Sequence, residues 1–178
     1  MSVVVFVVGE PGCGKTTLVR HLIGRNIEIQ DKPKWTWNEA GVCAAGHYTG
    51  HAFDGADRVP YNGVKMALRF WEARLGDSRV TLFDGDRFSI KPVTTWAQKS
   101  SQVSKIGALL LDLPAEIAEN RRRNRGTFQN TSWVLGRKTK AMRFAGGFDH
   151  RLDLDARRRP EELALLASSF VLDLESQS

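Results

Sequence analysis

The hydrophobic pattern of the chain opens with a run of β-branched residues that ends abruptly. Residues 3–8 are five valines and one phenylalanine, a composition typical of a buried strand. Glycines follow at once. From residue 15 onward the apolar positions recur at helical spacing, and Gly24 marks the end of that pattern. The first 24 residues therefore predict a strand, a loop and a helix in direct succession.

The rest of the chain alternates between strand-like and helix-like patterns. We predict strands over residues 42–46, 79–83, 106–113 and 151–155. We predict helices over residues 60–75, 92–102, 115–125 and 160–170, and one from a cap at Thr131 or Ser132 to Phe144. Residues 26–40 are expected to be irregular, and residues 47–58 to form a long loop. This alternation predicts an α/β three-layer sandwich around a central parallel sheet of about five strands.

Length and composition are those of a soluble globular protein. The chain has 178 residues, 42% of them hydrophobic and 26% charged, which predicts one domain over residues 1–178. No apolar run approaches the ~20 residues that span a bilayer, so we expect no membrane partner. Cys13 and Cys43 lack metal-site spacing, and a reducing cytoplasm suits them best. The oligomeric state is left open.

The basic charge of the chain is concentrated in one segment. The formal net charge is +6, with a sequence pI near 9.6. Residues 121–143 carry eight arginines and lysines and no acid. A cluster of that size indicates either a polyanionic partner or a kinase that handles phosphates with many arginines.

The glycines after the first strand match a phosphate-binding loop. Residues 9–16 fit G-x-x-x-x-G-K-[ST] at every fixed position. Such glycines allow successive backbone N–H groups to turn toward a phosphate, and the helix that follows adds the positive end of its dipole. Lys15 would reach the β- and γ-phosphates of ATP, and the Thr16 hydroxyl would bind Mg²⁺. The predicted nucleotide-binding residues are Gly9, Gly12, Cys13, Gly14, Lys15, Thr16 and Thr17.

A second candidate site follows the strand at 79–83. Asp84-Gly85-Asp86-Arg87 lies at the carboxyl end of that strand, where open α/β sheets bind their ligands. A carboxylate there can hold Mg²⁺, which favours Asp84, or accept a proton from an attacking hydroxyl. Arg87 can grip the acceptor or stabilise the transferred phosphoryl group. Which of Asp84 and Asp86 is the base is left open, and a simple strand-end turn is the alternative.

The long loop contains a second acidic pair. Asp54 and Asp57 follow His47, Tyr48 and His51, and we predict that both aspartates bind the acceptor substrate. The alternative is a turn in which an aspartate bonds the local backbone. The histidines have no cysteine partners, which argues against a zinc site.

The arginine-rich segment at about 121–145 is predicted to form a lid. Arg121 and Arg125 share one helical face, and Arg122 lies on the adjoining one. Gly126 then provides a hinge. We assign Arg121 and Arg125 to the stabilisation of phosphate charge as the lid closes. A solvated basic face is the alternative.

Taken together, these motifs resemble the small P-loop kinases of the nucleoside and nucleotide kinase superfamily over roughly residues 1–145. The resemblance implies that Asp84 and Arg87 bind or deprotonate the acceptor, and that Arg121 and Arg125 contact the phosphates. The insert at 31–58 departs from thymidylate and adenylate kinase patterns. The overall layout is more similar to compact viral kinases that phosphorylate 5-hydroxymethyluracil bases within phage DNA.

Two acceptor classes fit the predicted kinase best, and a small-molecule or other acceptor is the remaining alternative. A modified pyrimidine in DNA would need a basic groove, for which Arg137 and Lys140 are candidates, and aromatic rings for stacking. Those rings are Trp35, Trp37, Trp96 and Trp133. A free deoxynucleoside monophosphate or nucleoside would need only a closed pocket. A third reading is a P-loop hydrolase or switch, which would turn over the nucleotide without an acceptor.

Overall fold

One mixed sheet of seven strands forms the centre of the molecule in the computed structural model, which describes residues 1–51 and 54–177. The strands are β1 (Ser2–Gly9), β2 (Ile27–Asp31), β3 (Lys34–Asn38), β4 (Val42–Ala45), β5 (Val80–Asp84), β6 (Val103–Asp112) and β7 (His150–Asp155). Their order across the sheet is β2-β3-β4-β5-β1-β6-β7. The last five strands in this order, β4, β5, β1, β6 and β7, are mutually parallel, which confirms the predicted parallel sheet.

Helices cover both faces of the sheet. They are α1 (Lys15–Ile23), α2 (Val64–Arg74), α3 (Lys91–Lys99), α4 (Ala115–Asn124), α5 (Thr131–Ala145) and α6 (Pro160–Ser176). Short 3₁₀ turns occupy Ala56–Arg58, Tyr61–Gly63 and Leu75–Asp77. The alternate side chains of β1 point to opposite faces, so one core packs against α1, α4 and α6 and the other against α2, α3 and α5. Within the described chain, no helix is both long and apolar enough to cross a membrane.

The prediction of irregular structure over residues 26–40 is wrong. β2 and β3 form an antiparallel hairpin at the edge of the sheet, with Gln30 opposite Trp35 and Trp35 opposite Ala45 of β4. The hairpin escapes pattern recognition because β2 is an edge strand whose side chains are exposed or half-buried, so hydrophobic and polar residues do not alternate clearly.

Two helix boundaries also differ from the prediction. The cap of α5 is Asn130, whose side chain accepts a hydrogen bond from the Ser132 backbone N–H at 2.9 Å. α6 continues to Ser176, well past Phe170, because Val171 and Leu174 extend its buried stripe. The remaining predicted helices and strands are present, with ends shifted by a few residues.

The strand register brings the predicted site residues to one edge of the sheet. Val7 of β1 lies beside Asp84 at the end of β5, and Gly9 lies beside Leu111 near the end of β6. Because the three strands are parallel, their carboxyl ends open into neighbouring loops. The backbone register alone therefore places the phosphate loop next to the segment 84–87.

Toward the opposite end of these strands, a buried hydrogen bond joins α2 to the sheet. The Trp71 indole N–H donates to the Thr81 hydroxyl at 2.8 Å, and both residues are fully buried. The Thr81 hydroxyl also lies 3.4 Å from that of Ser2 and 3.3 Å from that of Ser78. A polar group buried this deeply depends on its partner, because water cannot replace the lost hydrogen bond.

We predict that Thr81→Val lowers the free energy of unfolding by about 1–3 kcal/mol, because the indole N–H then lacks an acceptor. Thr139→Val is the control, since Thr139 is exposed on α5. Denaturant unfolding of the two variants and the wild type measures the difference. A Thr81→Val protein as stable as the control would show that the hydrogen bond contributes nothing.

Candidate active site

The phosphate loop is held in shape by close backbone contacts. Gly9 has a φ of 152°, and a Cβ added there would lie 2.5 Å from the Leu111 carbonyl oxygen. Gly12 has a φ of 89°, and a Cβ there would lie 3.0 Å from the Ala118 carbonyl oxygen of α4. Both positions therefore require glycine, both for the backbone angle and for the space. The loop is packed between the end of β6 and α4.

Lys15 lies across this loop. Its ammonium group donates hydrogen bonds to the carbonyl oxygens of Gly9 and Glu10, at 3.0 and 2.9 Å. Burial acts to lower the pKa of Lys15, but nearby acidic groups, with Asp84 and Asp86 among them, outweigh it and raise the pKa. Lys15 is therefore a charged group that is held against the phosphate loop by two hydrogen bonds.

Asp84 is the carboxylate that meets the loop. Its Oδ2 accepts a hydrogen bond from the Thr16 hydroxyl at 2.9 Å, and the buried Tyr48 hydroxyl lies 3.4 Å from the same oxygen. Burial raises the pKa of Asp84 to about 6, although Lys15 and Thr16 act to lower it. Mg²⁺ prefers oxygen ligands and commonly takes only one or two from the protein, so the Thr16 and Asp84 oxygens fit this cation.

The loop before α2 closes over the same pair of residues. A Cβ added at Gly55 would lie 3.0 Å from both the Thr16 hydroxyl oxygen and Asp84 Oδ2. The Gly55 N–H donates to the His47 carbonyl oxygen at 2.5 Å, which anchors this loop to the end of β4. Sequence analysis missed Tyr48 and Gly55 as neighbours of Asp84, because only the folded loop brings them there.

A cleft of about 620 Å³ extends from the phosphate loop along this edge of the sheet. Its walls are the phosphate loop and the start of α1, described residues between 50 and 61, residues 84–87, and residues of the segment 122–137. Among the predicted nucleotide-binding residues, Cys13 does not line the cleft. Its thiol is buried under Gly9, and this burial raises the pKa of the thiol. Thr17 lies in the cleft wall.

Asp86 and Arg87 face different partners within the cleft. Asp86 pairs with Arg137 of α5, at 3.0 Å between carboxylate and guanidinium, and lies 4.0 Å from the Lys140 ammonium group. The Arg87 guanidinium donates to the Val59 carbonyl oxygen, lies 3.6 Å from the Asp57 carboxylate and stacks 4.3 Å from the centre of the Tyr61 ring. Each residue therefore ties segment 84–87 to a different wall of the cleft.

The second acidic pair divides into a buried and an exposed carboxylate. Asp54 is buried and accepts hydrogen bonds from the backbone N–H groups of Gly50 and His51, at 2.7 and 3.0 Å. It also lies 3.5 Å from the Arg20 guanidinium of α1. These local hydrogen bonds fit the turn alternative for Asp54, although Asp54 also lines the cleft. The Asp57 side chain is 77% exposed and lines the cleft too. Ala52 and Phe53 of the predicted loop lie outside the described residues.

The arginines of α4 are arranged differently from the predicted lid. Arg121 donates to the Ala156 carbonyl oxygen at 3.1 Å and is not part of the cleft wall. Arg125 is exposed and does line the cleft. Arg122, which is not among the predicted site residues, is buried and donates to the Pro11 carbonyl oxygen of the phosphate loop at 2.7 Å. Helical spacing gives the relative faces of the three residues but not which face meets the loop.

The tryptophans offer fewer stacking surfaces than the sequence predicted. Trp35 is fully buried, and Trp37 and Trp96 pack against the core. Trp133 alone of the four predicted rings lines the cleft, with 42% of its surface exposed and the Arg137 guanidinium 4.8 Å from its ring centre. Tyr61, which was not predicted, also lines the cleft and is 72% exposed.

We predict that Asp84→Asn stabilises the protein above pH 6. The pKa of this carboxyl is about 6 in the folded protein and 3.8 when unperturbed, so the native state binds the proton more tightly. The free energy of unfolding of the wild type therefore falls as the pH rises from 4 to 6, and the variant lacks that loss. The gain should reach roughly 1–3 kcal/mol by neutral pH.

The comparison is best made by thermal unfolding of both proteins between pH 4 and 8. Asp86→Asn is the control, because Asp86 is paired with Arg137 and should gain nothing from neutralisation. A gap between the wild type and Asp84→Asn that does not change with pH would contradict the raised pKa.

The architecture matches solved structures of kinases, although no family model and no curated protein matches the sequence. An unliganded sugar kinase from Janibacter sp. is 19% identical, with a TM-score of 0.59 over 98% of this chain and 96% of its own. A gluconokinase from Sinorhizobium meliloti is 16% identical, with a TM-score of 0.50 over 99% and 94%. At such identities the similarity establishes the fold alone, so the chain shares the α/β fold of these two structures.

Proposed function

We propose that this protein is an ATP- and Mg²⁺-dependent phosphotransferase that acts on a nucleotide-type acceptor. The observation that carries the proposal is the hydrogen bond of 2.9 Å between Thr16 and Asp84, beside Lys15 in a phosphate loop. A kinase needs a loop that binds phosphate and oxygen ligands that suit Mg²⁺. It also needs a cleft that extends past them to hold the acceptor. The fold of two solved kinases supports the same reading.

The donor half of the cleft is formed by the loop and α1. The loop N–H groups and the N-terminus of α1 would bind the β- and γ-phosphates, and Lys15 would leave the loop carbonyls to neutralise them. Thr16 and Asp84 would hold Mg²⁺, which supplies neutralisation of the charge on the transferred phosphoryl group. Within the predicted lid at 121–145, α5 packs into the core through Ala141 and Ala145. We therefore propose that the segment 125–130 is the part that closes, with Arg125 in it and Arg122 beside the phosphates.

The acceptor half lies between the loop before α2 and α5. Asp84 is the carboxylate we assign to the proton of an attacking hydroxyl, because it ends β5 beside Thr16 and faces the cleft, where it would hold Mg²⁺ through a water molecule. Asp86 is held by Arg137 and is better placed to orient α5. Asp57 and Arg87 lie on the opposite wall and are available to position the acceptor.

For the acceptor itself, the more specific proposal is the hydroxymethyl group of a modified pyrimidine in DNA. Tyr61 and Trp133 offer exposed rings for a base, and Arg137 and Lys140 lie beside Trp133 on α5. The rival acceptor is a free deoxynucleotide or nucleoside. The burial or packing of Trp35, Trp37 and Trp96 favours it, because rings packed in this way offer little surface for stacking on the bases of DNA. A switch or hydrolase is distinguished from both by turnover of ATP without any acceptor.

Lys15→Ala should lower phosphoryl transfer at least 100-fold, because it removes a cation that stabilises the transferred phosphoryl group. The assay is transfer of labelled γ-phosphate from ATP to a panel of nucleotides, normal DNA and hydroxymethylpyrimidine DNA. Lys32→Ala is the control, since Lys32 is exposed in the β2–β3 hairpin turn. A Lys15→Ala protein that keeps more than about a tenth of the wild-type rate would remove Lys15 from the mechanism.

The two acceptors also differ in how binding responds to salt. If duplex DNA binds through three or four phosphate contacts, its affinity should fall roughly 40- to 150-fold between 50 and 200 mM salt, because counterions are released. Charge-neutralising Arg137 and Lys140 should flatten the slope of log affinity against log salt by about two units while ATP affinity barely changes.

The matched control for this experiment is Arg25→Gln with Lys99→Gln. Arg25 follows α1 and Lys99 ends α3, both at the sheet edge opposite the cleft, so this pair should leave the salt slope unchanged. If no oligonucleotide is retained at 50 mM salt while a free nucleotide is phosphorylated efficiently, the acceptor is not DNA.

A further inference from the structure

The phosphate loop contains a buried acid to which the loop motif assigns no role. Glu10 occupies a variable position of the motif, yet only 2% of its side chain is exposed. Within the described chain its Oε1 atom has no hydrogen-bond partner. A carboxylate removed from water is costly unless cations compensate it, so the surroundings of Glu10 are informative.

Two cations from different helices converge on this carboxylate. The Arg122 guanidinium of α4 lies 3.7 Å from Oε2, and the Lys138 ammonium group of α5 lies 3.4 Å from Oε1. Lys138 is already paired with Asp112 at 2.7 Å and donates to the Leu113 carbonyl oxygen at 3.1 Å. Both cations therefore share the charge of Glu10, and Lys138 divides its own charge between Glu10 and Asp112.

Arg122 is fixed against the loop on a second side. Its guanidinium donates to the Pro11 carbonyl oxygen at 2.7 Å, and its Cγ would lie 3.1 Å from a Cβ at Gly12. Arg122 lines the cleft although only 10% of its side chain is exposed. It therefore borders the space above the loop, where a phosphate chain would lie.

The lengths of these ion pairs argue that Glu10 does more than stabilise the fold. Ion pairs of 3.4 and 3.7 Å without a hydrogen bond on Oε1 repay little of the cost of burying a carboxylate. A neutral glutamine of the same shape still offers an acceptor to both cations. What it loses is the charge that holds the guanidinium in place.

We infer that Glu10 is a positioning residue that holds Arg122 of α4 over the phosphate loop, where the guanidinium binds the phosphate chain of the donor nucleotide. Lys138 joins the same carboxylate and ties α5 to the loop, so that loop, α4 and α5 keep one arrangement. This inference rests on the proposed function, because it requires a nucleotide in the loop.

The first test is the affinity of Glu10→Gln for MgATP, measured by calorimetry. We expect it to fall about tenfold, because charge-assisted contacts to phosphate depend on geometry, while the melting temperature stays within a few degrees. Glu119→Gln is the matched control, since it removes the same charge from an exposed pair with Arg123 on α4. It should change the affinity less than twofold.

The second test places Glu10→Gln in an Arg122→Gln background. If Glu10 acts through Arg122, the double variant binds MgATP no more weakly than Arg122→Gln alone. In transfer assays Glu10→Gln should raise KM for ATP and leave KM for the acceptor within about twofold. A loss of stability alone would not separate the two substrates in this way.

Three results would overturn the inference. They are an unchanged MgATP affinity in Glu10→Gln, effects of the two substitutions that multiply in the double variant, and a loss of affinity that merely follows a fall in melting temperature. All three assume that the wild type binds MgATP. A wild-type protein that binds none overturns the proposed function itself, which keeps the two failures distinct.

Discussion

The site depends on the parallel register of β5, β1 and β6. Because Val7 lies beside Asp84 and Gly9 beside Leu111, the phosphate loop begins where its two neighbouring strands end. The hydrogen bond between Thr16 and Asp84 follows from that register, since α1 starts directly after the loop. A shift of one residue in β5 would turn the Asp84 side chain to the other face of the sheet and separate the pair.

Around this centre, acidic and basic residues from different elements are paired across the cleft. Glu10 meets Arg122, Asp54 meets Arg20, Asp57 meets Arg87 and Asp86 meets Arg137. These pairs join the loop, α1, α4, α5 and the segment before α2. Asp84 instead contacts the hydroxyls of Thr16 and Tyr48, and its burial raises its pKa to about 6. Its partners therefore differ from those of the four carboxylates that pair with arginines.

Local sequence rules predicted the parts of the molecule that local chemistry determines. The valine run, the glycine loop and the helix after it needed no distant contact to be recognised, and Asp84 was found because it follows a strongly apolar strand. The β2–β3 hairpin was missed because an edge strand is largely solvent-facing. Arg122 was missed because spacing along a helix does not say which face packs on the loop. The burial of Trp35 likewise depends on the missed hairpin.

The basic segment at 121–143 shows why composition alone does not identify a polyanionic surface. Within the described chain, five of its eight cations already have acceptors: Arg121, Arg122, Arg123, Arg137 and Lys138 bind a carbonyl oxygen or a carboxylate. Lys140 lies 4.0 Å from Asp86, and Arg125 and Arg143 are exposed. A DNA phosphate that bound Arg137 would have to displace Asp86. Acids from elsewhere in the chain therefore neutralise part of the positive charge of this segment. The charge of the segment does not identify the acceptor that we propose, because only the side chains that remain unpaired in the cleft can select it.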